Sequence, residues 1–524
     1  MARRTGRGDR LSALRRTLRG LRAASGTLDA AHAELLGAVE VALFRLSPRH
    51  REIVRRYDLA GEGAAEIQRA LALSPRQYFR DRHGALAALS EHLSVAQDSG
   101  SWSNGVPFTG GAAVTSTELG SDATLAGRAF ARSLAQSGNT QCLGVLRTLA
   151  GDASDPLERA EIFIELAETA LEYSDERIAA EASALATRIL RGNAFPPAIA
   201  DWLDGRLARA QARMSSTQRE GAAEFARSAA LLRRSIAAEP GMLEPRIALA
   251  NTLGDDAILR FSLGTFAQAR AVSSAAVELI ASFGLSNRPR ALEILGMHYV
   301  IETIISGRSQ TAIAQVSTLL QRAAESGWSS TASRLGGVLV GLNGVRGDYA
   351  EAILRYRAMA PLALNGARPS DRAGLTLEAA HSYTGMGRPA EALAILGYVR
   401  RNEGSWPRTE VPDRHAFAAA ALDRLGESAA ALREATEALA GYSAQCIDRG
   451  SGDAHRLIAT SHAKLGNGRV AREHLREAKR ITESYGTPYQ LLRTLAAEAA
   501  ILQSATLKRE AADYARLLSG LART

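Results

Sequence analysis

One motif returns along this chain at a nearly fixed interval. Gly347-Asp348-Tyr349-Ala350-Glu351-Ala352-Ile353-Leu354-Arg355-Tyr356 sets out a glycine, an alanine five residues later and a large apolar residue four further on. That order describes a corner between two helices. The glycine ends the first helix, and the alanine lets the second pack closely against it. The pair recurs as Gly264 with Ala269, Gly307 with Ala312, Gly387 with Ala392, Gly426 with Ala431 and Gly466 with Ala471, at glycine-to-glycine steps of 43, 40, 40, 39 and 40 residues. Looser copies stand at Ser174 with Ala179 and Gly221 with Ala226. A period between 20 and 50 residues marks stacked units, each burying its apolar face against the next. The expectation is an all-α fold: an α-solenoid of about eight helical hairpins over residues 125–524, with final helices near 489–503 and 508–518 capping its open end. The prolines at 196, 197, 240, 245, 289, 369, 407, 412 and 488 fall between the predicted pairs, where a proline is tolerated.

The residue inventory excludes several classes. Two cysteines, Cys142 and Cys446, are too few for a disulfide framework and sit in no metal pattern, which suits a reducing cytoplasm. No apolar run reaches the roughly 18 residues that span a bilayer, and the N-terminus lacks the apolar core of a signal peptide. No glycine-rich loop ends in Gly-Lys-Ser/Thr, and no Gly-x-Ser-x-Gly elbow or His-Glu-x-x-His helix is present, so no catalytic residues, cofactor or metal are expected. Gly336-Gly337-Val338-Leu339-Val340-Gly341 lies in the first helix of a repeat, where close packing explains its glycines. His455 and His462, seven apart, miss the spacing of helical metal ligands.

Charge divides the chain more sharply than composition does. The net charge is +9, and the chain carries 61 Arg against 3 Lys, an imbalance that points to a GC-rich coding sequence. Residues 1–93 hold 17 Arg against 10 acids, whereas the remaining residues hold 47 Lys plus Arg against 45. A basic N-terminal module of this kind points to a polyanionic partner. Within it, residues 1–27 form an Arg-rich arm in which Leu11, Leu14, Leu18 and Leu21 have helical spacing, suited to phosphate or an anionic membrane surface, or simply solvated. Residues 94–124, rich in Ser, Gly and Thr, read as a flexible tether.

Between arm and tether, residues 28–93 read as a helical bundle. A first helix covers 28–44. Ser47-Pro48 then supplies an N-cap and a first-turn proline for a helix to about Leu59, a short helix follows over 64–71, and Ser74-Pro75 caps another that begins Arg76-Gln77-Tyr78-Phe79-Arg80-Asp81-Arg82. Helix, tight turn, helix with a basic start is the order of a helix-turn-helix, whose second helix lies in the major groove. Arg76, Gln77 and Arg80 are suitable donors to base edges, while Ser74 and Arg82 stand where phosphates are held.

These residues resemble a known family. Leu46-Ser47-Pro48-Arg49-His50-Arg51-Glu52-Ile53-Val54, with Ala65-Glu66-Ile67, Leu71, Leu73-Ser74 and Ala85-Leu86, resembles region four of bacterial sigma factors and the related helix-turn-helix of response regulators. Gln68 stands where that family commonly has alanine, Ala72 where it has the turn glycine, and Tyr78-Phe79 where it has a branched apolar residue and a polar neighbour. The corner motifs, in turn, resemble tetratricopeptide repeats, although those have a period of about 34 residues, and that resemblance implies that the hairpins stack into a right-handed α-solenoid. The two resemblances imply a bacterial transcription regulator that binds double-stranded DNA through residues 28–93. Its repeats would bind a protein, a peptide or a small effector in a concave groove, or self-associate into a homo-oligomer. The alternative is a scaffold in which the bundle binds protein instead of DNA. In the tetratricopeptide pattern the inward positions would be Ile258, Phe261, Ile301, Ile304, Gly341, Gly344, His381, Thr384, Ala420, Asp423, Thr460 and Ala463. The simpler expectation for each is contact with a neighbouring helix.

Overall fold

A computed structural model describes residues 46–59, 62–74, 76–82, 84–86, 89, 118–366, 368–401 and 410–522. The arm over 1–27, the helix expected over 28–44 and the tether as far as residue 117 lie outside the described residues. The chain divides into two compact units, residues 1–133 with 144–153 and residues 134–143 with 154–524. Among the described residues there is no strand.

In the first unit the capping chemistry sets the helices. Ser47 accepts the His50 N–H at 3.3 Å and starts α1, Pro48–Ile53, which passes into a π-helical turn, Val54–Leu59. α2 is Ala64–Ala70, and residues 76–82 form α3. Between α2 and α3 the Ala72 N–H donates to Arg69 O and the Leu73 N–H to Gln68 O, with Ala72 at φ +51°. Those two bonds satisfy the last carbonyls of α2, and they need a left-handed residue. The expected glycine-for-alanine departure therefore sits on the one residue of the turn with positive φ, at about 1 kcal/mol.

The second unit repeats the same device. Counting the hairpin Glu118–Gln136 (α4) and Gln141–Asp152 (α5), which contributes to both units, ten antiparallel pairs stand among the described residues rather than eight. The helix from Glu118 also takes in the last residues assigned to the tether. The pairs after it are Pro156–Glu172 (α6) with Glu176–Gly192 (α7), Pro197–Met214 (α8) with Gln218–Ala238 (α9), Glu244–Ser262 (α10) with Phe266–Ser282 (α11), and Pro289–Ser306 (α12) with Ser309–Glu325 (α13). Then come Ser329–Arg346 (α14) with Tyr349–Gly366 (α15), Pro369–Gly385 (α16) with Pro389–Arg400 (α17), and Val411–Leu425 (α18) with Ser428–Ala444 (α19). Asp448–Lys464 (α20) with Gly468–Tyr485 (α21) and Pro488–Ile501 (α22) with Ala505–Ala522 (α23) complete the stack.

The predicted corners are left-handed. Gly387 has φ +76°, its N–H donates to Thr384 O, and the Arg388 N–H reaches Tyr383 O. Ser174, at φ +59°, does the same without a glycine. The alanine five residues on is sealed in the helix–helix contact: Ala269, Ala352, Ala392 and Ala471 are fully buried. Gly221 is the exception. It lies inside α9, after the capping box of Thr217 and Glu220, and an added Cβ would meet Ala212 O at 2.9 Å. It therefore takes the place of the packing alanine, and the corner is five residues earlier than the sequence suggested.

The stack curls back on itself. The Gln218 N–H donates to Gln445 O at 3.2 Å, and Arg219 meets Asp448 at 3.5 Å. A Cβ on Gly264 would lie 2.5 Å from Tyr485 O. Each of these contacts joins a hairpin to one five or six further along. Gly264 is thus needed twice, for its φ of +76° and for the approach of a second backbone.

Candidate functional site

Two places concentrate chemistry: the exposed face of α3 and the interior of the repeats.

In the bundle, Ile53, Ile67, Leu73 and Tyr78 form the core around which α3 is set. Tyr78 fills the position expected for a branched apolar residue. It is fully buried, its ring meets Tyr57 edge-on at 6.2 Å, and burial pushes its hydroxyl up to about 12. With Tyr78 inward, the helix period turns Arg76 and Arg80 outward, and both are exposed. Neither forms an ion pair with another described residue. Gln77 is half-buried, and its N–H is held by the Ser74 hydroxyl at 3.3 Å, so Ser74 serves as the expected cap. Arg82 is placed differently from the phosphate-facing position expected of it. Its Nε donates to Asp58 at 3.1 Å and its guanidinium lies 4.3 Å from the Tyr57 ring centre, so it ties α3 to the π-helical turn. Arg49 likewise reaches Asp81 at 3.1 Å across the bundle. Sequence reasoning missed Phe79, which is 57% exposed on the same face as Arg76 and Arg80. The alternation of a buried and an exposed aromatic was the available signal.

The repeat interior is crossed by ion pairs from the first helices of six hairpins. Arg209 on α8 donates to Glu168 of α6 at 3.2 Å and to Asp255 of α10 at 2.8 Å. Arg290 on α12 bridges Asp255 and Glu293. Glu293 is 3% exposed and also accepts from Thr331 at 2.9 Å, Arg334 at 2.9 Å and Arg368 at 3.0 Å. Arg334 and Arg368 both reach Asp371 at 2.7 Å, and Arg368 closes the circuit on Glu172 at 2.5 Å, 196 residues away. Burial alone would raise these carboxyls. For Glu293 the guanidiniums of Arg334, Arg368 and Arg290 outweigh it and hold the group at about 2, and Glu172 is held well below the usual carboxylate range by Arg368, Arg213 and Arg334.

Further along, the interior carboxyls change character. Glu378 on α16 forms no ion pair among the described residues and lies where a Cβ on Gly341 would come within 3.1 Å of its carboxyl carbon. Burial, with Asp413 adding to it, pushes Glu378 to about 7. Asp413 accepts from the Tyr442 hydroxyl and is raised by burial, and Glu410 is raised well above the usual range by burial with Asp413 and Asp371 nearby. Burial holds His381 at about 4.

The interior positions expected from the repeat pattern divide. Ile301, Ile304 and Thr384 are buried among helices, as the simpler expectation had them. His381 lies beside Gly344 and between Tyr349 and Phe417, and Phe261 lies beneath the Arg449 guanidinium at 4.9 Å. The charged interior was missed because its residues stand away from the two positions read as inward: Arg290, Glu293, Arg334, Arg368 and Asp371 are near the starts of their helices, and Glu168, Glu172, Arg209 and Asp255 are in the later halves of theirs. His455 and His474 share a hydrogen bond between Nδ1 atoms at 2.8 Å, and among the described residues no group of three metal-ligating side chains is assembled. No described helix is long and apolar enough to cross a membrane.

No family model matches the chain, and no curated protein is similar to it. Among solved structures, it is similar to a Rap protein complexed with competence and sporulation factor, at 10% identity and a TM-score of 0.49 over 69% of this chain and 98% of that one. The Cut9-Hcn1 hetero-tetramer of the APC/C aligns at 12% identity and a TM-score of 0.44 over 98% of this chain and 95% of that one, and yeast Tom70 at 14% and 0.37 over 88% and 91%. The assignment to a tetratricopeptide-like helical-repeat architecture rests on the hairpins and left-handed corners described above.

Proposed function

We propose that the chain is a DNA-binding transcription regulator whose repeats engage a partner protein or peptide. The observation that carries this reading is the exposed pair Arg76 and Arg80 at the start of α3, set outward by a fully buried Tyr78 beside it and preceded by a Ser74 cap. A helix start with free guanidiniums suits guanine edges and phosphates in a major groove. Arg82, committed to Asp58, positions the helix. Arg76→Ala/Arg80→Ala in the full chain is expected to abolish enrichment of any sequence from random duplexes while leaving the helical circular dichroism unchanged. Wild-type binding should fall steeply with salt, because neutralised phosphates release counterions. Equal enrichment by the double variant would remove the DNA reading and leave the scaffold.

For the repeats, one observation favours a protein partner along an edge of the stack over one inside it. The interior of the early hairpins is bridged by ion pairs, whereas Met386, Leu425, Leu465 and Leu502 each stand exposed beside successive corners. Large apolar side chains recurring on one edge fit association with another protein.

A further inference from the structure

Phe79 is the exposed large apolar side chain of the described bundle residues. Leu46, Ile53, Val54, Ile67, Leu73, Tyr78, Leu86 and Leu89 are all buried, whereas Phe79 shows 57% of its surface. It does not swing freely, because its ring meets Tyr78 at 5.2 Å with the planes 72° apart, and Tyr78 is fixed in the core. On α3 the helix period sets Phe79 about 60° to one side of Arg76 and about 100° from Arg80, so its ring borders the arginine pair on the outward half of the helix. The adjacent acid, Asp81, is buried and turned to Arg49, so no carboxylate of α3 stands on that face. An aromatic ring bordering two outward guanidiniums fits a surface that is anionic where the arginines meet it and carries an apolar projection beside that point. On the edges of base pairs in a major groove, the apolar projection is the 5-methyl group of thymine.

We propose that Phe79 is a base-reading residue that seats its ring against a thymine methyl beside the positions addressed by Arg76 and Arg80. This inference rests on the DNA reading and specifies what that surface selects: a duplex with at least one thymine whose methyl, rather than its hydrogen-bonding edge, is recognised.

The experiment uses the full chain. A duplex enriched by the wild type from a random pool is remade with each thymine replaced in turn by uracil, which differs only in lacking the methyl. Affinities are measured for the wild type, Phe79→Ala and Phe79→Leu. One replacement is expected to weaken the wild type roughly three- to tenfold. Phe79→Ala should bind the thymine duplex with the same loss and no longer distinguish the two, and Phe79→Leu should recover part of the discrimination. If the wild type enriches a sequence but binds every uracil duplex as well as its thymine parent, or if Phe79→Ala still discriminates, the inference is overturned and the DNA reading stands. If the wild type enriches no sequence, the DNA reading itself fails, and the inference with it.

Discussion

Two stretches of the same repeat interior treat buried carboxyls in opposite ways. Between α6 and α16, Glu172, Asp255, Glu293 and Asp371 are each met by arginines from other hairpins. Between α16 and α18, Glu378 and Glu410 meet no such cation among the described residues. Burial pushes both groups toward the neutral acid, and a guanidinium at hydrogen-bond distance reverses that push. The same helical scaffold therefore carries a stretch locked by charge and a stretch whose charge depends on pH. The difference shows that an interior carboxylate is defined by the hairpin that faces it, not by the one that bears it.

The largest effect should come from breaking the locked stretch. Arg368 is 5% exposed and serves Glu172, Glu293 and Asp371 together. Removing one partner leaves buried charges unmatched, so Arg368→Met should cost about 3–5 kcal/mol in urea unfolding of the repeats. A cost near zero would mean that the network relaxes or hydrates without it.

A smaller effect, with a definite sign, should come from the other stretch. The folded-state pKa of Glu378, about 7, lies above its ordinary value of 4.5. Its contribution to stability is present below pH 4.5 and is lost as pH rises through 7. Glu378→Gln should therefore match the wild type at pH 5 and exceed it at pH 8.5, by roughly 1–3 kcal/mol. Glu293 has the reverse sign: with its pKa held near 2, its contribution is present above pH 4.5 and is lost as pH falls through 2. Equal pH dependence of Glu378→Gln and the wild type would erase the contrast between the stretches.

An exposed pair sets the lower end of the scale. Arg177 and Glu181, four residues apart on α7, lie 2.7 Å apart at the surface, with side chains 70% and 51% exposed. Arg177→Ala should shift stability by less than about 0.5 kcal/mol, since solvent screens such pairs. A loss comparable to that of Arg368→Met would mean that position in the interior confers nothing special. The turn between α2 and α3 offers a change of opposite direction. Ala72→Gly relieves a positive φ at an exposed residue and should stabilise the bundle by up to about 1 kcal/mol, read as a rise in its unfolding midpoint.

Much of the fold was legible because it is local. A left-handed corner needs glycine or a tolerant substitute, and a close helix contact needs a small residue, so Gly387 with Ala392 announces its geometry within six positions. The Ser47 and Ser74 caps were legible for the same reason. Gly221 misled because glycine serves both purposes, and nothing within a few residues says which. In the candidate site Arg76 and Arg80 stand exposed, whereas the place of Arg82 was not legible, because its partner Asp58 lies 24 positions away in a turn whose π-helical form no local pattern encodes.

The amino-acid order by itself determined that the described repeats are helical, that their hairpins recur at about 40 residues, and where most of them turn, since those outcomes follow from backbone conformations set over a few neighbouring residues. The tertiary structure alone decided which charges meet. Glu172 and Arg368 become partners only when the stack curls through five hairpins, and Phe79 becomes a surface residue only because Tyr78 fills the core beside it. Both depend on the cumulative angle at which helices pack, a property that no single stretch of sequence carries.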